Sequence, residues 1–332
     1  DKVWALWEAG SPLAMEASDL STKGFVTLRD DLKGMPFQAH PRYAPDGTIW
    51  NVGTAGGQAV IWRLNPDRSL NDAQVVPLPR ASYMHDFTAT DRHLILVLQP
   101  WVFEGHAMPV VSALHWRPEM GTQILVLDKA DLSQRRLYDL PAFFHFHLGD
   151  AWAERDGTIR FDVAASSDPR FAVDGARVLV DGRGVVPGDP ARLALVTLHP
   201  DGRAEMVSSE VVGEFPKADP RRAGLKRRLT AHTWGETRGR PLPTGLAVHD
   251  WDKGRSNAFE FGVHQVVEEA VFVPKPGAVA EDQAWLVGPS VNLKDGRTEL
   301  HVFDVARISD GPVATWQAEV ALPAGFHGAW IG

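Results

Sequence analysis

Thirteen histidines and no cysteine set the metal chemistry open to this chain of 332 residues. Without thiols there are no disulfides, thiolate sites or cysteine nucleophiles, so any metal must be held by His, Asp or Glu. Four histidines have suggestive surroundings: His40 in "FQAHPRYAPDGTIWNVG", His85 in "SYMHDFTATDRHLILVL", His147 in "FFHFHLGDAWAERDGTIRFDV" and His327 in the terminal "GFHGAW". Each lies at or just before a strand-like run, between apolar neighbours, and so points inward. An unpaired imidazole is costly to bury there. A metal ion is one way to satisfy it; a hydrogen-bonded core histidine is the other. His93, His106, His115, His199, His232, His249, His264 and His301 lack such a context and read as surface or hydrogen-bonded core histidines.

The elements that must position these residues are strands. Short apolar or alternating runs dominate: "TIWNV" (48–52), "AVIWRL" (59–64), "HLILVL" (93–98), "TQILVL" (122–127), "TIRFDV" (158–163), "RLALVTL" (192–198), "AWLVG" (284–288) and "ELHVFDV" (299–305). No long stretch has the i, i+3, i+4, i+7 spacing of a helix. Asp-Gly recurs at 46–47, 156–157, 201–202 and 295–296, each beside a strand candidate, and supplies the positive φ of tight hairpins. "TQILVLDKADLS" (122–133) echoes "ELHVFDVARISD" (299–310), as equivalent strands of a repeat would. The pattern is all-β: a sandwich, barrel or propeller. The four histidines are 45, 62 and 180 residues apart. Those gaps match no local metal motif, but suit a propeller in which distant blades each aim one strand at a common axis. No linker splits the chain, so residues 1–332 read as a single domain, with the Pro/Gly-rich patches at 181–190 and 238–245 as loops.

Composition narrows the partners. The net charge of −8 argues against nucleic acid, which needs a basic face. The densest basic run, "RRAGLKRR" (221–228), reads as a solvated or locally paired loop. No apolar run approaches a membrane-spanning helix. No signal peptide is visible, although the chain starts at Asp1 rather than Met; the expected location is the cytoplasm, with peripheral membrane association open. Twelve tryptophans suggest large apolar surfaces to line or fill.

Over nearly its whole length, and in order, the sequence resembles the carotenoid cleavage oxygenases, a family that includes apocarotenoid- and stilbene-cleaving dioxygenases and the retinal-pigment-epithelium isomerase. The residues that carry the resemblance are "LWEAGSPLAMEASDLSTKGF" (6–25), "AHPRYAPDGTIWNVG", "YMHDFTAT", "FHLGDAWAE", "GEFPKADPRRAGLKRR", "EEAVFVPKPGAVAEDQAWLV" and the closing Pro-x-Gly-Phe-His-Gly. The resemblance implies a seven-bladed β-propeller with an axial metal site, in which His40, His85, His147 and His327 hold one Fe(2+) per chain. His145 rivals His147; the two are i, i+2 on a strand and face the same way, and the motif selects His147. Glu8, Glu214 and Glu269 match glutamates that support the ligating imidazoles, with Glu268 as the rival to Glu269. A ligating imidazole donates its other ring N–H to such a carboxylate, which fixes its tautomer.

The implied activity is that of a non-haem iron dioxygenase. It would use O2 to cleave a carbon–carbon double bond of an apocarotenoid or carotenoid into two carbonyl products, with no catalytic side chain beyond the metal ligands. A long apolar substrate needs an aromatic tunnel, and Trp7, Phe87, Phe103, Trp152, Trp234 and Phe326 lie in or near the motifs; core packing is the alternative for each. The apolar run "PWVFEGHAMPVVSALHW" (100–116) resembles a tunnel mouth that rests on membranes. Where some stilbene-cleaving members carry a lysine, Trp7 precedes Glu8, which leans towards a carotenoid-type substrate. Two departures stand out. Gly149-Asp150 replaces the usual Val-Asn, and the Trp-Glu motif begins almost at residue 1, so the N-terminal part of the propeller is expected to be missing or supplied by a second polypeptide segment. A stilbene dioxygenase or isomerase, and a non-catalytic propeller that binds proteins, are the competing readings.

Overall fold

In a computed structural model, the described residues are all except 1, 106, 182–187, 236–242, 324 and 331–332. The structure is almost entirely antiparallel β. Its residues fall into two compact units: residues 1–146 with 200–204, and residues 147–199 with 205–332.

In the first unit, two four-stranded meanders repeat one plan. One runs Arg42–Tyr43, Ile49–Ala55, Gln58–Leu64, Leu70–Pro77; the other runs Thr88–Ala89, His93–Leu98, Thr122–Asp128, Arg135–Leu140. The first strand of each is two residues long and follows a histidine, His40 or His85, at the end of an irregular segment. Central strands are apolar on both faces because both faces are covered: every residue from Leu94 to Leu98 is buried. The outer strand Arg135–Leu140 alternates at its end, as a half-buried strand should, with Tyr138 and Leu140 buried and Leu137 and Asp139 exposed, whereas in Leu70–Pro77 only Ala73 and Val76 are buried. Trp50, Leu94, Leu96, Leu98, Leu125 and Leu127 belong to the core between these strands.

The second unit carries a seven-stranded sheet, from Phe144–Ala153 to Arg255–Glu260. Its order follows the sequence, and it reads as two four-strand meanders sharing the long strand Ala204–Lys217. A five-stranded sheet follows, with Ala284–Asn292, Arg297–Asp304 and Ala314–Gln317 as its last three strands. Its core is built on Leu229, Leu246, Phe272, Leu286 and Phe303.

All eight strand-like runs are strands, and the four Asp-Gly pairs close hairpins with Gly47, Gly157, Gly202 and Gly296 at positive φ. The echo between 122–133 and 299–310 is also structural. Both segments start on the third strand of their meander, and in both the aspartate that follows, Asp128 or Asp304, accepts the backbone N–H two residues on. One helix was not legible: Arg170–Asp181. Its polar residues Arg170, Asp174, Arg177 and Asp181 recur at helical spacing, so the reading that no stretch has a helical period is corrected here, although of the residues from Arg170 to Val178 only Gly175 is buried. The expected loop at 181–190 therefore begins as the end of this helix, and residues 182–187 lie outside the described residues, as do His106 and most of 238–245.

Candidate metal centre

The first unit holds two of the four histidines. His85 Nδ1 lies 3.2 Å from Glu8 Oε1, and the Tyr83 hydroxyl donates to the same oxygen at 2.7 Å. The hydrogen bond with His85 holds the Glu8 carboxyl at about 2, against the opposing effect of burial. Burial, reinforced by Glu8, pushes the Tyr83 phenol up, so it stays protonated as a donor. With its Nδ1 proton given to Glu8, His85 presents an Nε2 lone pair, 3.1 Å from His40 Nε2. Arg42 ties the two histidine segments together. Its guanidinium donates to the Phe87 carbonyl at 2.7 Å and to Asp86 Oδ1 at 2.8 Å, two and one residues past His85. Gln38 adds a second tie, receiving Asn51 and donating to the Met84 carbonyl. The ring of Phe146 stands 5.4 Å from that of His85.

The second unit holds the other two. His147 Nδ1 donates to Glu214 Oε2 at 2.6 Å, and His327 Nδ1 donates to Glu269 Oε2 at 2.9 Å. In the neutral form each ring then has its lone pair on Nε2, and the two Nε2 atoms lie 3.3 Å apart. Two such lone pairs repel at this distance, and a shared cation is one way to satisfy both. Two nitrogens each about 2.1 Å from one ion and at right angles to each other stand about 3 Å apart, so both histidine pairs have the spacing of neighbouring ligands. Neutral imidazoles backed by carboxylates suit a first-row divalent ion. The Phe215 ring packs against both histidines, 4.7 Å from His147 and 5.6 Å from His327.

His147 sits on a strand; His327 does not. The expectation that His327 lies at or just before a strand is corrected: residues 318–330 contain no strand among the described residues, and Phe326 has a φ of 59°. Two adjacent carboxylates hold the segment in place of a ladder. Glu269 takes the His327 ring and the Gly328 N–H at 3.2 Å, while Glu268 accepts the N–H groups of Gly325 and Phe326 at 2.6 and 3.1 Å.

The model of the retinal pigment epithelial membrane protein family matches residues 1–332. The chain belongs to this family. The apocarotenoid-15,15'-oxygenase of Synechocystis is 27% identical, with 99% of this chain and 70% of that protein aligned. The resveratrol cleavage oxygenase 1 of Aspergillus fumigatus is 24% identical over 98% of this chain and 71% of its own. The solved structure of the cobalt-substituted Synechocystis apocarotenoid oxygenase superposes with a TM-score of 0.89 at 25% identity, covering all of this chain and 72% of that one. The fold is thus the all-β propeller of the family.

Within this family member, the residues singled out from sequence are placed as follows. His40 with His85 and Glu8 come together in one unit, and His147 with His327, Glu214 and Glu269 in the other. His145 exchanges backbone hydrogen bonds with Gln99, and its ring lies 5.8 Å from Phe143. Among the six aromatics, Phe87 is fully buried in the core of the first unit, and Trp152 is buried with the Arg227 guanidinium over its ring. Trp234 is half-buried, and Trp7, Phe103 and Phe326 are exposed, Phe326 by 58%. The rings packed on the histidines, Phe146 and Phe215, were not singled out, although each is adjacent in sequence to a site residue, which is the signal that could have found them. Arg42, Asp86 and Glu268 were likewise missed as positioning groups.

The carboxylates give the site a pH signature. Burial opposes ionisation of Glu269, but the Lys217 charge and the His327 N–H outweigh it and hold the carboxyl at about 2, below its ordinary 4.5. A depressed carboxyl stabilises the fold above its unfolded pKa, and that contribution is lost as pH falls through the folded value. Stability should therefore fall steeply between about pH 5 and 2, by on the order of 3 kcal/mol for Glu269. Urea unfolding measured across that range should show the loss, and Glu269→Gln should flatten it.

Proposed function

We propose that this chain is a non-haem iron(II) dioxygenase that cleaves a carbon–carbon double bond of an apocarotenoid or carotenoid into two carbonyl products. The observation that carries the reading is the set of Nδ1–carboxylate bonds at His85, His147 and His327, which turn the Nε2 atoms of each histidine pair towards one another at 3.1 and 3.3 Å. His40, His85, His147 and His327, each offering one ring nitrogen, would hold the ion. Membership in a family that includes an apocarotenoid oxygenase and carotenoid cleavage dioxygenases supports the chemistry.

Bound iron would supply the binding and activation of O2. The protein's own part is simpler. Glu8, Glu214 and Glu269 accept the Nδ1 N–H groups of His85, His147 and His327 and so orient each Nε2 to ligate. Tyr83 remains protonated and steadies Glu8. Phe146 and Phe215 pack on the imidazoles, restricting their rotation and the access of water. No side chain has to act as acid or base, because cleavage of an alkene by O2 moves no proton through the protein.

The hairpin of Trp101–Phe103 and Leu114–Trp116 exposes Phe103, Met108 and Val110 around its tip, Met108 by 85%. This supports a membrane-resting mouth through which an apolar substrate enters. Among the described residues, no helix is long and apolar enough to cross a membrane.

Relatives that act on phenolic alkenes, the isoeugenol monooxygenase of Pseudomonas nitroreducens and the resveratrol cleavage oxygenase, are 25% and 24% identical. They keep a stilbene-type substrate as the second reading. Mass spectrometry of products from an apocarotenal and a hydroxystilbene, offered separately under O2, decides between them. Two carbonyl fragments from the apocarotenal, with the stilbene recovered intact, are the expected result. The reverse pattern overturns the substrate assignment.

A further inference from the structure

Lys217 ends the strand that also carries Glu214, and its Nζ lies 3.0 Å from Glu269 Oε2. That oxygen is the one that receives the His327 ring N–H. Glu269 is almost fully buried, whereas the lysine is 31% exposed. Lys217 therefore brings a full positive charge from the edge of solvent onto the atom through which Glu269 polarises a candidate ligand. The other carboxylate of this unit is arranged differently: Glu214 Oε2 accepts the His147 N–H and the Phe215 backbone N–H. The His147–Glu214 bond is 2.6 Å, and the His327–Glu269 bond, sharing its oxygen with an ammonium, is 2.9 Å.

We propose that Lys217 is a positioning residue that tempers the donor strength of His327 and balances the charge of the metal centre. This deepens, and rests on, the four-histidine reading. A carboxylate that accepts an imidazole N–H pushes electron density towards the opposite nitrogen, and a cation on the same oxygen withdraws part of it. With Glu214, Glu268 and Glu269 all near the His327 segment, removing Lys217 makes these surroundings one unit more negative.

The sign of the effect separates this role from a merely structural salt bridge. If Lys217 only braced Glu269, its loss would loosen His327 and weaken metal binding. If it offsets charge, its loss strengthens the hold on a divalent cation. The affinity of the purified full chain for Co2+, chosen because it stays divalent in air, can be read by competition with a chelating dye at pH 8. Lys217→Met and Lys217→Gln should bind Co2+ about tenfold more tightly than the parent, the size expected for a unit charge several ångströms from the ion in a protein site. Lys217→Arg should stay within about twofold of the parent, because it keeps the charge. Unchanged or weaker binding in the folded Met and Gln variants overturns the role of Lys217. Failure of the parent itself to bind Co2+ is a separate result and overturns the metal centre.

Discussion

Asp162→Ala is expected to destabilise the protein by about 3–5 kcal/mol, the usual cost of stranding one partner of a buried ion pair. Asp162 is fully buried and meets the equally buried guanidinium of Arg227. The pair is embedded in further bonds. Arg227 donates to Thr230 Oγ1 at 2.7 Å and to the Asp150 carbonyl at 2.8 Å, and Thr230 donates to Asp162 Oδ2 at 2.8 Å. Trp251 Nε1 donates to Thr230, and the Arg227 guanidinium lies over the Trp152 ring. Removing the aspartate leaves an unpaired cation in this interior. Differential scanning calorimetry should show a midpoint lowered by roughly 5–10 °C. Arg227→Met combined with Asp162→Ala should recover much of the loss, since no buried charge is then orphaned. The network also bears on the site, because it grips the backbone at Asp150, three residues beyond His147. It accounts for Gly149 as well: a Cβ there would land on the Asp162 carboxylate. Gly149, the first residue of the Gly149-Asp150 departure, thus fits the packing of this chain.

His147→Ala is expected to reduce metal affinity by at least 100-fold with the fold retained, whereas His145→Ala should leave affinity within about threefold. Losing a ligand removes a full coordinate bond, while changes to groups behind ligands typically cost about 10–100-fold. His147 meets both Glu214 and His327, and the segment of His145 is tied to Gln99 instead. Isothermal titration with Co2+, alongside circular dichroism to confirm folding, measures both variants. Equal losses in the two would contradict the assignment.

The strands were legible because burial on one or both faces writes itself into local alternation and apolar runs, and their hairpins because Asp-Gly leaves a conformational signature. The histidines were legible as inward-pointing groups, yet the choice between His145 and His147, or between Glu268 and Glu269, was not a local matter. Neighbours in sequence differ here only in what they meet 46 to 67 residues away. The same distance hid the basic run 221–228. It reads as a solvated or locally paired loop, and Arg221 does pair locally with Asp219. Arg227 and Arg228, however, find Asp162, 65 residues away, and Asp250, 22 residues away, on strands. Glu268 and the His327 segment were illegible for a further reason. A side chain that replaces a strand ladder by accepting two backbone N–H groups leaves no periodic trace.

The central claim, that His40, His85, His147 and His327 close on one iron ion, is tested most directly by the metal content of the full chain after anaerobic reconstitution with Fe(II) and removal of excess ion. About one iron per folded chain is the predicted result. A folded chain that retains no iron, or one that retains only zinc fully enclosed by the four histidines with no open position, would contradict it.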